Sequence, residues 1–200
     1  MPRIETDELL RALTTLADEG GLDAITMTSV AAALGVRPPS LYGRYRDRTA
    51  LLDRLALHAL HRLTDAVADA VAGRAGRDAL AALTDAHRSF ARAEPGLWAA
   101  LQRPVPPAVA AESDSARLVA LMRGALSGYR LPEGELVHAI RFLGATVNGF
   151  LALERSGGFA HSTPSAAASW ARAVDALDVL LRAWPAGPAH RPNGDPSSTP

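Results

Sequence analysis

Residues 28–52 read TSVAAALGVRPPSLYGRYRDRTALL. Gly35 lies near the start of this stretch, where its freedom to adopt a positive φ suits a tight turn. Pro38 and Pro39 follow, and they are tolerated in the first turn of a helix because the amides they lack would be unpaired there. The stretch predicts a short helix up to Leu34, a turn, and a second short helix from Pro39 to Tyr45. This arrangement is typical of a helix-turn-helix, whose second helix enters the major groove of DNA.

Apolar residues recur on both sides of this stretch at the spacing of an amphipathic helix. A first helix is predicted from about Thr6 to Glu19, ended by Gly20-Gly21. Thr26 and Thr28 offer hydroxyl oxygens that can cap the helix before the turn. Asp47 is the predicted N-cap of a long fourth helix that carries Leu51, Leu52, Leu55, Leu60, Leu63 and Val67.

The rest of the chain continues the helical periodicity and shows no convincing strand. Further helical segments are predicted around residues 80–91, 98–101, 116–128, 133–155 and 165–184, with the proline-rich residues 104–107 as an irregular connector. The fold class is therefore predicted to be all-α. We expect an N-terminal three-helix helix-turn-helix domain over residues 1–48 and a C-terminal helical bundle over 49–184. The Pro-, Gly- and Ser-rich residues 185–200 are expected to form a disordered tail.

Composition narrows the possible functions. The 200 residues include no cysteine, which excludes disulfides, thiolate metal ligands and a cysteine nucleophile. The net charge is zero, but four arginines face one aspartate between Arg37 and Arg48, a local charge of +3 that suits phosphate contacts. The N-terminus lacks an apolar signal core, and no stretch of about 18 uncharged apolar residues is evident. A cytoplasmic protein without a membrane partner is expected.

Particular residues around the turn match a more specific pattern. A small residue, Ala31, precedes Gly35-Val36 at the turn, and Leu41-Tyr42 is followed three residues later by the aromatic Tyr45. The basic Arg48 then opens the fourth helix. This combination resembles the DNA-binding region of the tetracycline-repressor-type (TetR) family over roughly residues 6–55. The resemblance implies a bacterial transcriptional regulator, not an enzyme, with an all-helical second domain that dimerises and encloses a ligand pocket, and it implies no cofactor or metal.

The candidate DNA contacts are the polar and groove-facing residues around the turn. Leu34, Val36 and Leu41 are expected to fill the angle between the two helices. Ser40 and Tyr42 are assigned to the DNA backbone or a base edge, and the Tyr42 phenol can donate to a phosphate oxygen. Arg48 and Thr28 are assigned to phosphates. The alternatives are that Tyr42 only packs and that Arg48 is a solvated charge. The candidates for recognising bases, at the exposed start of the recognition helix, are Arg37, Pro38, Pro39, Gly43 and Arg44. Among these residue types, only arginine can form a bidentate hydrogen bond with guanine.

The resemblance implies that the last two helices form a four-helix bundle with a second copy of the chain. Small residues on the helix over 133–155, among them Gly144, would permit another helix to approach closely. The last helix carries an apolar stripe. The predicted dimer interface comprises Ala145, Gly149, Ala152, Trp170, Val174, Leu177 and Leu181. The alternative is that the stripe belongs to the core of one chain.

A weaker resemblance to one group of TetR C-terminal domains covers residues 86–98 and 142–159. Members of that group show His-Gly where this chain has Asn148-Gly149, so the role of that histidine is not carried over. Several residues are expected to lie between helices, which suggests a pocket for an unknown small, largely apolar effector. Its predicted lining is His87, Phe90, Trp98, Met122, His138, Phe142 and Asn148, each of which has a core residue as its alternative.

The predicted function is a repressor whose hold on double-stranded operator DNA is relieved by that effector. Leu63-Thr64 occupies the place where tetracycline repressors carry a drug-binding histidine, so a tetracycline–magnesium effector is not expected. One alternative is a dimeric helical interaction module without DNA binding. Another is a small-molecule-binding enzyme, for which His58, His61 and Asp65 on one helix offer a metal site that lacks a fourth ligand.

Overall fold

The computed structural model describes residues 5–132 and 134–185. These residues form ten α-helices and no strand, which confirms the all-α prediction. The helices are α1 (Thr6–Gly20), α2 (Met27–Ala33), α3 (Pro38–Tyr42), α4 (Arg48–Val71), α5 (Gly76–Ala93), α6 (Pro95–Leu101), α7 (Pro107–Ala111), α8 (Ser115–Leu126), α9 (Leu136–Arg155) and α10 (Ala166–Arg182). Short 3₁₀ turns lie at Leu22–Ala24 and Ser127–Tyr129.

Several boundaries differ from the sequence predictions. The third helix begins at Pro38 and ends at Tyr42, because the amides of Arg44 and Tyr45 turn back onto the carbonyl of Leu41. The connector at 104–107 is followed at once by α7, since Pro107 takes the first position of that helix. The tail predicted to be disordered falls, beyond Pro185, outside the described residues.

The chain divides into two compact units, residues 1–125 and 126–200. The first unit has one continuous core, in which α1 packs on α4 and α6 and α4 packs on α5. Apolar side chains at helical spacing are buried on all four helices, among them Leu9, Leu13, Leu51, Leu55, Leu80, Leu83, Leu97 and Trp98. Packing is therefore continuous across residue 48. The predicted boundary between residues 1–48 and 49–184 separates two predicted roles and not two separately packed units.

A close contact joins α6 to the end of α1. The Gly96 amide donates to Asp18 Oδ1 at 2.7 Å. A Cβ on Gly96 would lie 2.5 Å from the Ala17 Cβ and 2.7 Å from the Ala17 carbonyl carbon. Real Cβ atoms do not approach backbone that closely, so only glycine lets α6 reach α1.

The second unit is built on the packing of α9 against α10. Buried α9 residues follow a four-residue spacing at Ala139, Leu143, Val147 and Leu151. The α10 core consists of Trp170, Val174, Leu177 and Leu181, each 5% exposed or less. The prediction that these four α10 residues form the dimer interface is therefore corrected, because they are core residues of a single chain. Ala145, Gly149 and Ala152 of α9 are exposed and remain interface predictions.

Polar contacts support the α10 end of this unit. The buried Tyr129 hydroxyl donates to Asp178 Oδ1 at 2.8 Å, and Arg182 Nε donates to Asp178 Oδ2 at 2.9 Å. The Trp184 indole N–H donates to Glu135 at 3.0 Å.

Among the described helices, α9 alone is long and apolar enough by length and composition to cross a membrane. The sequence predicts this helix but not its length of apolar residues, because Arg141 and polar residues such as Asn148 interrupt the apolar run. The buried stripe that packs against α10 accounts for one side of α9 only, because 22% of its apolar stretch is buried.

We predict that Gly96→Ala lowers the free energy of unfolding by about 1–3 kcal/mol, the usual cost of forcing an extra carbon into a packed contact. Urea unfolding followed by circular dichroism measures the change. Gly124→Ala is the matched control, because a Cβ there meets open space and alanine favours the helix. Equal stability of the two variants would contradict a tight α1–α6 contact.

Candidate nucleic-acid interface

A reciprocal cap fixes the start of α2. The Ser29 amide donates to Thr26 Oγ1 at 3.0 Å, and the Thr26 amide donates to Ser29 Oγ at 2.9 Å. This capping box satisfies two amides that a helix start otherwise leaves unpaired. The predicted cap at Thr26 is confirmed, whereas Thr28 lies within the first turn of α2 with its side chain exposed.

The turn between α2 and α3 depends on Gly35, which has a φ of +63° as predicted. The next amide, from Val36, donates back to the carbonyl of Ala31 at 2.9 Å and closes the turn. Leu41 and Ala31 are fully buried and Leu34 is nearly so, as expected for side chains that fill the angle between the helices. The direction of α3 therefore follows from a glycine conformation and a small apolar core.

The opposite side of α3 is exposed. Tyr42 is 55% exposed, and Arg37, Pro39, Gly43 and Arg44 are also exposed, while Pro38 and Ser40 are half-buried. The structure thus brings the predicted contacts of α3 together on one outward surface. The packing role considered for Tyr42 does not fit this exposure, whereas Tyr45 is the aromatic residue that packs inward.

Charged side chains follow α3 at the start of α4. Asp47 accepts a hydrogen bond from the Ala50 amide at 3.0 Å, which confirms it as the N-cap of α4. That bond, with a second from Arg46, holds the pKa of Asp47 below its usual range. Arg46 is therefore partly neutralised, whereas the guanidinium of Arg44 lies over the Tyr45 ring, 5.9 Å from its centroid, and Arg37 is exposed.

Arg48 makes several contacts within the chain. Its Nε donates to the carbonyl of Ile25 at 2.7 Å, and its Nη2 donates to the carbonyl of Leu22 at 2.8 Å and to Asp23 at 3.2 Å. These acceptors lie in the 3₁₀ turn between α1 and α2 and directly after it. The guanidinium thus ties the start of α4 to the α1–α2 connection, and the phosphate contact of this 42% exposed side chain stays a prediction.

The predicted effector residues do not form one group. His87, Phe90, Trp98 and Met122 are buried, whereas His138, Phe142 and Asn148 on α9 are exposed. Phe90 borders an open groove of about 920 Å³ between α4 and α5, and Phe142 borders a shallow cleft against α10. The groove has an alanine floor and a rim that includes Asp65, Asp69, Asp78, Asp85 and Glu94, so it differs from the predicted apolar pocket.

His87 is fixed in one tautomer. Its Nδ1 lies 2.8 Å from the carbonyl of Leu83, which can only accept, so Nδ1 carries the proton. Burial lowers the pKa of His87, because a charged imidazolium would lose its hydration there, and this outweighs the bond to Leu83. His87 is therefore neutral at pH 7.

Sequence reasoning missed an apolar cavity of about 140 Å³ between α4 and α6. Its walls are Ala56, Leu57, Leu60, Ala100, Leu101 and Val105, with Arg103 and Ser113 as polar members. The sequence predictions of an effector pocket relied mainly on aromatic and histidine residues. Aliphatic side chains are common in any helical core, so they do not mark a cavity in the sequence.

The metal alternative receives no support. The described residues contain no group of three or more side chains placed to hold a metal ion. His61 Nδ1 instead lies 2.8 Å from Asp114, and Arg117 pairs with Asp65 at 2.5 Å. These pairs connect α4 with the start of α8.

Family models match most of the chain. Residues 9–55 match the model described as bacterial regulatory proteins, tetR family, and residues 80–177 match the tetracyclin repressor-like C-terminal domain. An uncharacterized HTH-type transcriptional regulator of Bacillus subtilis (strain 168), YobS, is 32% identical over 157 residues, which is 76% of this chain and 81% of that protein.

Solved structures agree in fold. A protein of unknown function from Rhodococcus sp. RHA1 is 26% identical, with a TM-score of 0.69 over 89% of this chain and 93% of that chain. TetR from Acinetobacter baumannii AYE is 20% identical, with a TM-score of 0.68 over 90% of this chain and 98% of that chain.

We predict that Arg48→Ala lowers the free energy of unfolding by about 2 kcal/mol, because it removes charge-assisted hydrogen bonds to two backbone carbonyls. Chemical denaturation measures this change. Arg37→Ala is the control, since its exposed side chain should change stability by less than about 0.5 kcal/mol. An Arg48→Ala protein of normal stability that binds every DNA sequence more weakly would show that Arg48 acts on phosphates and not on stability.

We predict that His87→Gln reduces the loss of stability in mild acid. Because the folded pKa of His87 lies below 6.5, the unfolded chain takes up this proton first, and stability falls as the pH drops below about 6.5. The wild-type slope should exceed that of the variant by at most about 1.4 kcal/mol per pH unit, a limit set by one proton. Urea unfolding at pH 5.5 and 7.5 measures it, with the exposed His161→Gln as control. Parallel curves for wild type and His87→Gln would refute the burial argument.

Proposed function

The chain belongs to the TetR family of bacterial transcriptional regulators, and from this premise we propose that it is a homodimeric repressor that leaves its operator when a small, largely apolar effector binds. Regulators of this family bind DNA and small-molecule effectors, typically as dimers, and they are not enzymes. The observation that carries the proposal is the outward surface of α3, held away from the core by the Gly35 turn and bordered by exposed arginines. We propose a cytoplasmic location, because the proposed operator DNA lies there.

Two features of α3 and its flanking residues support DNA binding. The exposed Tyr42 hydroxyl is free of the core and can donate to a phosphate oxygen. Arg37 and Arg44 lie just before and just after the helix, where they can reach phosphates or guanine edges. Ser40, half-buried between them, is assigned to the DNA backbone.

Exposed apolar side chains of the second unit support dimerisation. On α9, His138, Phe142, Ala145, Gly149 and Ala152 are exposed at alternating four- and three-residue spacing, the seam of a helix that packs on another helix. On α10, Val179 is 65% exposed and Leu180 is 36% exposed. We propose that these residues, together with the corresponding face of a second copy, form a four-helix bundle. A dimer is needed because two recognition helices must meet successive major grooves about 34–36 Å apart.

The apolar cavity between α4 and α6 supports the effector part of the proposal. An apolar cavity of about 150 Å³ can hold a molecule the size of benzene, so a compact effector of about that size fits the space. A ligand that pushes α6 away from α4 would also strain the α6–α1 contact at Gly96. The effector acts only if it binds better to the conformation that does not fit DNA.

A tetracycline–magnesium effector is not proposed. Leu63 and Thr64 are buried, and the Thr64 hydroxyl donates to the carbonyl of Leu60 at 2.7 Å. Neither side chain is a metal ligand of the imidazole type.

We predict that wild-type protein sediments as a dimer and retards DNA fragments flanking its own gene, with an affinity that falls steeply as salt rises. Val179→Glu should raise the dimer dissociation constant at least tenfold and lower DNA affinity accordingly, because it places a charge on the apolar dimer face. Sedimentation and electrophoretic mobility shift at two salt concentrations measure both effects.

Val119→Glu is the control for this experiment, because it places the same charge on an exposed valine of α8. A wild-type protein that is monomeric and does not bind these fragments even in dilute buffer would refute the proposal.

A further inference from the structure

The apolar cavity between α4 and α6 has one polar end. Ala56, Leu57 and Leu60 of α4 line it on one side. Asp53 lies three residues before Ala56, about one turn earlier on the same face of α4. Arg103, which follows α6, forms part of the cavity wall, and its Nη1 lies 3.7 Å from Asp53 Oδ1. One end of the cavity is therefore bordered by a guanidinium and a carboxylate.

These two polar atoms are buried without a hydrogen bond. Among the described residues, neither Asp53 Oδ1 nor Arg103 Nη1 has a hydrogen-bond partner. Their separation of 3.7 Å is too long for a hydrogen bond between them. A buried polar atom without a partner has lost its hydration and gained nothing in exchange, which is uncommon in folded proteins. The pair can therefore gain two hydrogen bonds from a third group that lies beside it.

The chemistry of the pair restricts what that third group can be. A guanidinium has only donors and a carboxylate has only acceptors, so the group must accept from Arg103 and donate to Asp53. A hydroxyl does both with a single oxygen atom. A ligand carboxylate would instead bring a negative charge beside Asp53, and a ligand ammonium would bring a positive charge beside Arg103. The pair therefore favours a neutral hydroxyl group.

The rest of the cavity restricts the body of the ligand. Its other walls are mainly alanine, leucine and valine side chains, and its volume is about 140 Å³. The hydroxyl of Ser113, a second polar wall residue, already donates to the carbonyl of Ala110 at 2.6 Å and accepts from the amide of Ser115 at 3.3 Å. Polar recognition is therefore concentrated at one end, and a compact apolar body suits the remainder.

We propose that the effector is a neutral, compact hydroxy compound, a phenol or a small alcohol, whose hydroxyl group bridges Arg103 Nη1 and Asp53 Oδ1 while its apolar body fills the cavity. The inference rests on the proposed effector response and names the chemical class that the α4–α6 cavity binds. A hydrocarbon of the same shape would fill the volume and leave both polar atoms unpaired. A site that bonds a hydroxyl in this way discriminates against the analogue that lacks it.

Phenol and toluene are the probes, because they differ only in a hydroxyl or a methyl group on the same ring. Isothermal titration calorimetry measures the affinity of the full-length wild-type protein for each. We expect phenol to bind at least about tenfold more tightly than toluene, the scale of one hydrogen bond to a charged group. Benzoate should bind at least about tenfold more weakly than phenol, because its charge lies beside Asp53.

Asp53→Leu combined with Arg103→Met replaces the polar end of the cavity with apolar side chains. Such a replacement of a buried ion pair is often neutral or stabilising, so this protein should fold. Its preference for phenol over toluene should disappear. Asp65→Leu combined with Arg117→Met is the matched control, because it removes another ion pair of α4 whose residues lie outside the cavity wall. The control should keep the preference.

Ala56→Leu tests where the probes bind. The larger side chain occupies part of the cavity, so the affinity for phenol and for toluene should each fall at least about tenfold. Circular dichroism shows whether the variant is folded. A folded Ala56→Leu protein that binds phenol as tightly as wild type would place the binding elsewhere and overturn the inference.

Two further results would overturn the inference while leaving DNA binding and dimerisation intact. One is a wild-type protein that binds phenol no more tightly than toluene, the result expected if a water molecule pairs with the two atoms instead. The other is a preference for phenol that the Asp53→Leu, Arg103→Met protein retains. Failure of the proposed function gives a different result, in which the wild-type protein prefers phenol as expected but does not retard DNA with or without it.

Discussion

The contact between α1 and α6 at Gly96 is the constraint on which the first unit depends. Because the Gly96 backbone lies against Ala17 and bonds to Asp18, α6 cannot shift without disturbing α1, the helix that packs on α2. The same short helix borders the apolar cavity against α4. A single seven-residue helix thus contacts both α1, which packs on α2, and the space proposed for an effector.

The start of α4 adds a second fixed point. Asp47 caps the helix and Arg48 holds two carbonyls of the α1–α2 connection, so adjacent residues serve helix initiation and tertiary packing. The exposed positions of α3 are the proposed DNA contacts. Arg37 lies just before this helix and Arg44 just after it.

Local signals explain why much of the sequence analysis agrees with the structure. Gly35, Asp47 and Thr26 act on their own neighbours, through a positive φ or a cap one turn away, so their roles do not depend on distant residues. The α10 stripe was assigned wrongly, and the contacts of Arg48 within the chain were not predicted, for the opposite reason. The acceptors of Arg48 lie 23 to 26 residues earlier in the chain. An apolar stripe has the same sequence pattern whether it packs against its own chain or against a second copy.

The sequence by itself determined the all-α class, the Gly35 turn and the family, because periodicity, turn chemistry and motif spacing are local properties of the chain. Only the tertiary structure decided which apolar faces of α9 and α10 are core, where Arg48 directs its donors, and where an apolar cavity lies. Burial depends on what other segments place beside a residue, and a linear pattern does not contain that information.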